Sequence, residues 1–356
     1  MSSISDILIK QLESSYRSDE FVCLLSQYEN WKTSQPLKGL QILEGSPVFR
    51  NTCPKIASLL AAGAEVTIGL HQNCPYNPQV AGMLEDIGLE VRHGTDLKQD
   101  FDIILDCAGA YHHLGAGLGF AELTKSGEYY YSSSSKPCFC VDRSIIKYFE
   151  DYLGTADGLM RSLAEKQLPV SGKTYVVFGC GKVGAGICKR LTDEGAEVRL
   201  VEDGSRRHQF GYPVIDFKDK ESVHQAIKNA DCIVTVTGIK DVISKSYNAE
   251  IFNKSSAYLV NMGAEDEYGP DIPAYRVLNE KKPLNFILGE PTRLRYIDAT
   301  LALHNYGAFV LMRNELESGL MSPPEEIERM IIKQTLAGSC ISEEVENFLN
   351  TKNYAV

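Results

Sequence analysis

No apolar run in this chain approaches the ~20 residues needed to cross a bilayer as a helix. The first ten residues, Met1-Ser-Ser-Ile-Ser-Asp-Ile-Leu-Ile-Lys10, place no basic leader before an apolar core, so a secretory signal is not expected and a cytoplasmic location is. Positive charge is also short. Lys and Arg number 36 against 47 Asp and Glu, leaving −11, the wrong sign for gripping nucleic-acid phosphates or an anionic lipid surface. Neither nucleic acid nor membrane is expected as a partner. The ten cysteines lack a framework. Only Cys138 and Cys140 are close together, and no second cluster completes a ligand set, so no metal is expected. Cys107, Cys180 and Cys232 sit in or beside apolar strand-like runs, which suits free thiols in a reducing compartment. Solenoid repeats and low-complexity tails are missing too. At 356 residues, two or three globular domains remain.

What is present is organised around Tyr175-Val-Val-Phe-Gly179-Cys-Gly181-Lys-Val-Gly184-Ala-Gly186. A buried-strand run enters closely spaced glycines, and helical periodicity follows through Val183, Ile187 and Leu191. A second strand, Glu197 to Glu202, ends in acid 23 positions after Gly179. Strand, glycines, helix, strand and terminal acid in that order form a dinucleotide-binding fingerprint. Gly179 is expected to make the tight turn, Gly181 to let the backbone approach a pyrophosphate, and Gly184 to let helix and strand pack closely. Lys182 and Val183 open the helix, whose N-terminal amides favour phosphate. Glu202 would accept hydrogen bonds from ribose hydroxyls, which argues for NAD, although Arg206 and Arg207 keep NADP open.

Before this unit, Leu40–Glu44, Gly63–Gly69, Leu89–Arg92 and Phe101–Asp106 read as strands alternating with helices at residues 56–60 and 80–87. Residues 5–35 read as helix. The glycine- and serine-rich stretch 107–140 reads as loop, and a long helix is expected from Ser144 to about Lys166. After the glycine motif, Asp231–Gly238 and Ala257–Gly263 are apolar strands that break at glycine. Short strands are expected within 275–290 and a helix from Ala299 to Glu317. Ser322-Pro-Pro-Glu325 reads as a capping box, and Ser342 as the cap of a terminal helix. The alternation predicts an α/β chain with two doubly wound, Rossmann-like parallel sheets. The predicted domains are 1–149 with 301–356, for substrate, and 150–300, for dinucleotide.

Pro36-Leu-Lys-Gly39, Gly63-Ala-Glu-Val66, Phe149-Glu-Asp with Gly154, Gly172-Lys, the Gly179 loop, Glu202, Thr237-Gly238, Asn261-Met-Gly263 and Arg293-Leu294 together resemble S-adenosyl-L-homocysteine hydrolase over most of residues 36–310. The resemblance implies two domains joined by hinge helices, tightly held NAD used as an internal oxidant, and a homo-oligomer, dimer or tetramer. It also shows departures. Gly45-Ser-Pro47-Val-Phe49 stands where the family has a histidine, Tyr76-Asn77-Pro78 where it has a catalytic aspartate, and Gly263-Ala264-Glu-Asp266 where it has another histidine. The family's lysine falls nearest Lys147, one position off, and its following aspartate corresponds to Glu150. The implied activity is therefore transient or net oxidation by bound NAD of a small molecule other than S-adenosylhomocysteine. A plain NAD-dependent amino- or hydroxy-acid dehydrogenase and a catalytically silent NAD-binding regulator stay open.

Candidate catalytic residues follow. His112 and His113, beyond a strand end, carry imidazole, a side chain type suited to a general base, or are plain loop residues. Lys147 and Glu150 share a helix face as a tuned pair or a solvated ion pair. His304 lies where the returning helix begins, as a cofactor-side group or a core residue. Candidate cofactor residues are Gly179, Gly181, Lys182, Val183, Gly184, Glu202, Thr237, Gly238 and Asn261, the last three at strand ends where nicotinamide sits. Arg293 and Arg295 could hold a carboxylate. His71, His93, His208 and His224 read as ordinary surface or strand-end residues.

Overall fold

The computed structural model describes residues 3–72, 74–209, 211–313 and 316–354. It leaves out the side chains of 207–209, so the readings of Arg207 and His208 lie outside the described residues. In chain order the strands are β1 (Gln41–Glu44), β2 (Glu65–Leu70), β3 (Glu90–His93), β4 (Phe101–Asp106), β5 (Ala116–Glu122), β6 (Pro137–Cys140), β7 (Thr174–Phe178), β8 (Glu197–Glu202), β9 (Val214–Asp216), β10 (Cys232–Thr235), β11 (Tyr258–Asn261) and β12 (Gly319–Met321). The chain forms two compact units, Met1–Glu150 with Arg293–Val356, and Asp151–Thr292. It re-enters the first unit at Arg293 rather than at 301, because the returning helix spans Leu294–Leu311 instead of starting at Ala299.

The first unit holds a seven-stranded sheet in the order β12-β6-β5-β4-β1-β2-β3, parallel throughout. Its inner strands are nearly all apolar because both faces are covered. Leu43, Ile104, Phe120, Tyr111 and Tyr131 meet in one buried cluster. The strand order reverses between β1 and β4, which creates a crevice beyond their carboxyl ends.

The second unit holds the order β11-β10-β7-β8-β9, also parallel. Side chains alternate across it as strand geometry requires. Tyr175 and Val177 pack with Leu159, Ile187 and Leu191, while Val176 and Phe178 pack with Val223, Ile227 and Phe252. The reversal here lies between β7 and β10. Both sheets are doubly wound, and the two-Rossmann expectation holds.

Several local expectations fail for identifiable reasons. Residues 107–140 are not loop but contain β5, the helix Lys125–Tyr131 and β6. Gly119 serves close approach to the neighbouring strand. A Cβ at Gly119 would lie 2.5 Å from the Pro137 carbonyl oxygen on the neighbouring strand. The helix expected from Ser144 is broken into a π turn, Phe149–Gly154, and an α-helix, Thr155–Glu165. The expected strands of 275–290 are 3-10 turns, with Asn279, Glu280 and Lys281 in the left-handed region that no strand tolerates. Neither serine caps its helix. The N-caps are Pro324 and Ile341, without side-chain bonds.

Candidate cofactor cradle and strand-edge cluster

β7 ends at Phe178, and Gly179 turns with φ +95°, its α-carbon pressed against the loop after β10. A Cβ there would meet the Val236 carbonyl at 2.7 Å, and one at Gly184 would meet the Gly179 carbonyl at 2.2 Å. Both positions need glycine because backbone crosses backbone. Gly181 is different. A Cβ would find nothing within 4 Å, so the space above it is open to an incoming group. Gly181 is the N-cap of the helix Lys182–Asp193, and no side chain caps that end. Its N-terminal amides and partial positive charge are the elements that hold phosphate. Val183 packs half-buried on the unit's core, and Lys182 is half-buried at the first turn.

Glu202 closes the cradle. Its carboxylate accepts the Cys180 N–H at 2.9 Å and the Asp203 N–H at 2.8 Å, and the Arg206 guanidinium lies 3.2 Å away. The acid is thus held against the glycine loop and is 17% exposed, so a ribose hydroxyl can still reach it. Glycine turn, open cap, helix start and anchored acid fit a dinucleotide.

Asn261 is corrected. It is wholly buried, and its amide donates to the carbonyls of Glu265 (2.8 Å) and Lys281 (2.7 Å) while accepting from Gly263 N–H (3.0 Å). A buried amide must satisfy itself, and this one ties the 263–265 turn to residue 281. Thr237 and Gly238 do lie in the loop after β10, but their donors are already committed. Thr237 N–H, Thr237 Oγ and Gly238 N–H all bond the buried Glu267 carboxylate, at 2.8, 2.9 and 2.7 Å. Burial raises Glu267 against those bonds. Sequence reading missed Glu267, because an acid in a Glu-Asp-Glu run reads as a solvated turn. Asp266 is that turn residue, accepting from Tyr268 and Gly269 N–H.

In the first unit, His112 and His113 are exposed beyond β4. His112 Nδ1 lies 2.7 Å from the Gly109 carbonyl and His113 Nε2 lies 3.1 Å from the Thr95 carbonyl. A carbonyl only accepts, so those nitrogens carry the protons and the other nitrogen of each ring is the basic one. Lys147 Nζ pairs with Glu150 at 2.7 Å, with both side chains largely buried, rather than as a solvated pair. Of the two readings of His304, the core residue is the one the structure shows, not the cofactor-side catalytic group. It is fully buried, its Nε2–H donates to the Ala121 carbonyl at 2.9 Å, and burial, with Lys55 adding, pushes its pKa far down, so it stays neutral. Arg295 does not await a carboxylate ligand, being bound to Glu20 at 2.7 Å.

The sheet's carboxyl edge carries a cluster that the sequence did not announce. Glu44 ends β1 and pairs with Lys55, both wholly buried. Asp106 ends β4, accepts from Cys107 and Tyr111 N–H at 2.8 and 2.9 Å, and takes the Tyr131 hydroxyl. Glu122 ends β5 and accepts from the N–H groups of Ala108, Gly109 and Thr124. Burial pushes Asp106 up to about 6 and Glu122 up to about 7. Tyr111 fills the space over Gly45 and Gly69, where any Cβ would collide with its ring. His71, just past β2, lies edge-on to Tyr111 at 5.3 Å and is buried, not an ordinary strand-end residue. Among the described residues no group of three His, Cys, Asp or Glu is placed to hold a metal ion.

Residues 153–277 match the family model described as S-adenosyl-L-homocysteine hydrolase, NAD binding domain. Along the whole chain, an adenosylhomocysteinase of Sulfurisphaera tokodaii is 25% identical, over 90% of this chain and 89% of its own length. An S-inosyl-L-homocysteine hydrolase of Methanopyrus kandleri is 25% identical over 86% of this chain and 85% of its own. Among solved structures, a dipicolinate synthase polypeptide from Bacillus halodurans superposes with a TM-score of 0.48 at 10% identity, over 78% of this chain and 99% of that one.

Proposed function

From a chain that is a divergent member of the S-adenosyl-L-homocysteine hydrolase family, with NAD as its cofactor, we infer an enzyme that uses bound NAD for transient or net oxidation of a small molecule other than S-adenosylhomocysteine. One observation carries this reading. The cradle is complete, with Gly181 open and Glu202 anchored on Cys180 N–H, while the strand edges of the first unit carry Gly45–Phe49 and Tyr76–Pro78 in place of the family's histidine and aspartate.

NAD, when bound, supplies a hydride acceptor. The chain's own residues bind and orient it: the Gly179–Gly184 loop takes the pyrophosphate, Lys182 and Val183 offer helix-start amides, and Glu202 takes the ribose hydroxyls. Thr237 and Gly238, held by Glu267, form the firm wall after β10. Proton handling falls to His112 and His113 through their basic nitrogens, and to the buried Lys147–Glu150 pair. Residues 1–149 with the C-terminal helices serve as the substrate domain, and the assembly is a homo-oligomer in the cytoplasm.

The test is mass spectrometry of the purified protein for co-purifying NAD, followed by a substrate panel read at 340 nm. Retained NAD with turnover and no accumulating NADH marks an internal redox cycle, and accumulating NADH marks net oxidation. A protein that neither carries nor binds NAD(H) ends the reading.

A further inference from the structure

One buried acid holds the loop that carries His112 from two sides. Glu122, the last residue of β5, is wholly buried and accepts four hydrogen bonds, all from neutral groups. Its Oε1 takes the Ala108 N–H at 2.9 Å, the Thr124 N–H at 2.8 Å and the Thr124 hydroxyl at 2.6 Å. Its Oε2 takes the Gly109 N–H at 3.0 Å. Ala108 and Gly109 both lie in the left-handed region, at φ +58° and +66°. A non-glycine residue stays there only where surrounding bonds over-determine the backbone. Here one carboxylate collects both N–H groups of the turn.

We propose that Glu122 is a positioning residue for His112, fixing that imidazole with its proton on Nδ1 and its basic nitrogen at Nε2. The inference rests on the reading of His112 as a proton-handling group. The turn that Glu122 holds presents the Gly109 carbonyl to His112, whose Nδ1–H donates to it at 2.7 Å and whose backbone N–H donates at 3.4 Å. The second side is the helix Lys125–Tyr131. Thr124 is its N-cap, accepting the Gly127 N–H at 3.2 Å, and a Cβ on Gly127 would strike the Glu122 carboxyl group. That helix carries Tyr130, whose ring covers Gly109 so closely that no Cβ fits between them. The same ring lies 4.6 Å from the His112 ring, tilted by 31°.

The carboxylate thus sets a carbonyl at one edge of the imidazole and an aromatic ring along its face. An unrestrained neutral imidazole favours the proton on Nε2, and the bond to Gly109 reverses that choice. Only a carboxylate serves all four donors. A glutamine at 122 would keep the shape but offer one oxygen and one NH2 group. Whichever way that amide points, it turns a donor toward the Gly109 N–H or toward the three donors on the other side. An N–H left facing a donor is costly, so one side of the turn must move.

The experiment is NMR of the full chain with nitrogen-15 histidine, at a pH where the ring is neutral, with the His112 signals identified by their loss in His112→Asn. The wild type should show His112 protonated on Nδ1 and bare on Nε2. In Glu122→Gln that signature should be lost and the signals should move to the Nε2–H form, with circular dichroism confirming the fold. Thr124→Val, at a half-buried position, removes the hydroxyl that donates to Glu122 and accepts from Ala108. It should move the same signals part of the way, and it decides the matter if Glu122→Gln does not fold. A wild-type ring protonated on Nε2 overturns the proposal, as does an unchanged His112 spectrum in the folded Glu122→Gln chain or, failing that, in Thr124→Val. The spectra are independent of NAD. A chain that binds no NAD(H) yet shows the expected signature and its loss ends the functional reading and leaves the positioning role standing.

Discussion

Gly181→Ala separates the cradle from the fold that carries it. At φ −74° the residue is in a region open to any amino acid, and a Cβ would touch nothing within 4 Å. Two effects on stability nearly cancel. Alanine is the poorer N-cap by several tenths of a kcal/mol, while restricting the unfolded chain returns about 0.4–1 kcal/mol. Unfolding in urea should therefore shift by less than about 0.5 kcal/mol. Binding should not be spared, because the methyl group enters the space where a pyrophosphate would press on the loop. Overpacking of that kind costs about 1–3 kcal/mol, or ~5- to 150-fold in Kd. Gly186→Ala is the opposite case. Its Cβ would lie 1.9 Å from the backbone carbonyl of Tyr152, so that variant should lose stability. Titration of each variant with NADH, followed by fluorescence and paired with urea unfolding, reads both quantities. If Gly181→Ala folds normally and binds NADH as the wild type does, the dinucleotide does not lie over Gly181 and the cradle argument is wrong.

Glu202→Gln removes the charged acceptor while keeping its shape, and should weaken NADH binding by about 1.5–3 kcal/mol. The same change leaves Arg206 facing a neutral side chain and should narrow the gap between NADH and NADPH, measured as the ratio of their Kd values. Burial pushes Asp298, which holds the N–H groups of Cys23 and Leu24, up to about 7. An unfolded aspartate ionises near 3.9, so between about pH 4 and 7 the folded chain binds the extra proton and stability falls as pH rises. Asp298→Asn should flatten that decline in urea melts across the window; an unchanged slope refutes the burial argument. His304→Ala should cost about 2–4 kcal/mol of stability and leave NADH affinity unchanged, which calorimetry and fluorescence titration can show.

The cofactor half of the molecule was legible because its signals are local. Gly179, Gly184 and Glu202 lie within two dozen residues, and each position is forced by backbone crossing backbone or by a strand end. What escaped reading depends on distant partners. Asn261 and Glu267 occupy strand-end or acidic-turn positions that suit a ligand, yet their bonds go to residue 281 and to the loop at 237, which no spacing rule connects. The glycines of 115–119 resemble a loop until the neighbouring strand is in place. His71 looked ordinary because it packs edge-on against Tyr111, forty residues later.

The contact between Gly186 and the Tyr152 carbonyl has a mechanical meaning. With space for no more than a hydrogen atom, the helix Lys182–Asp193 is packed directly against the π turn at 149–154. That turn contains the peptide bond at which the chain leaves its first unit for its second. Any side chain larger than hydrogen at 186 would have to push the helix off that turn.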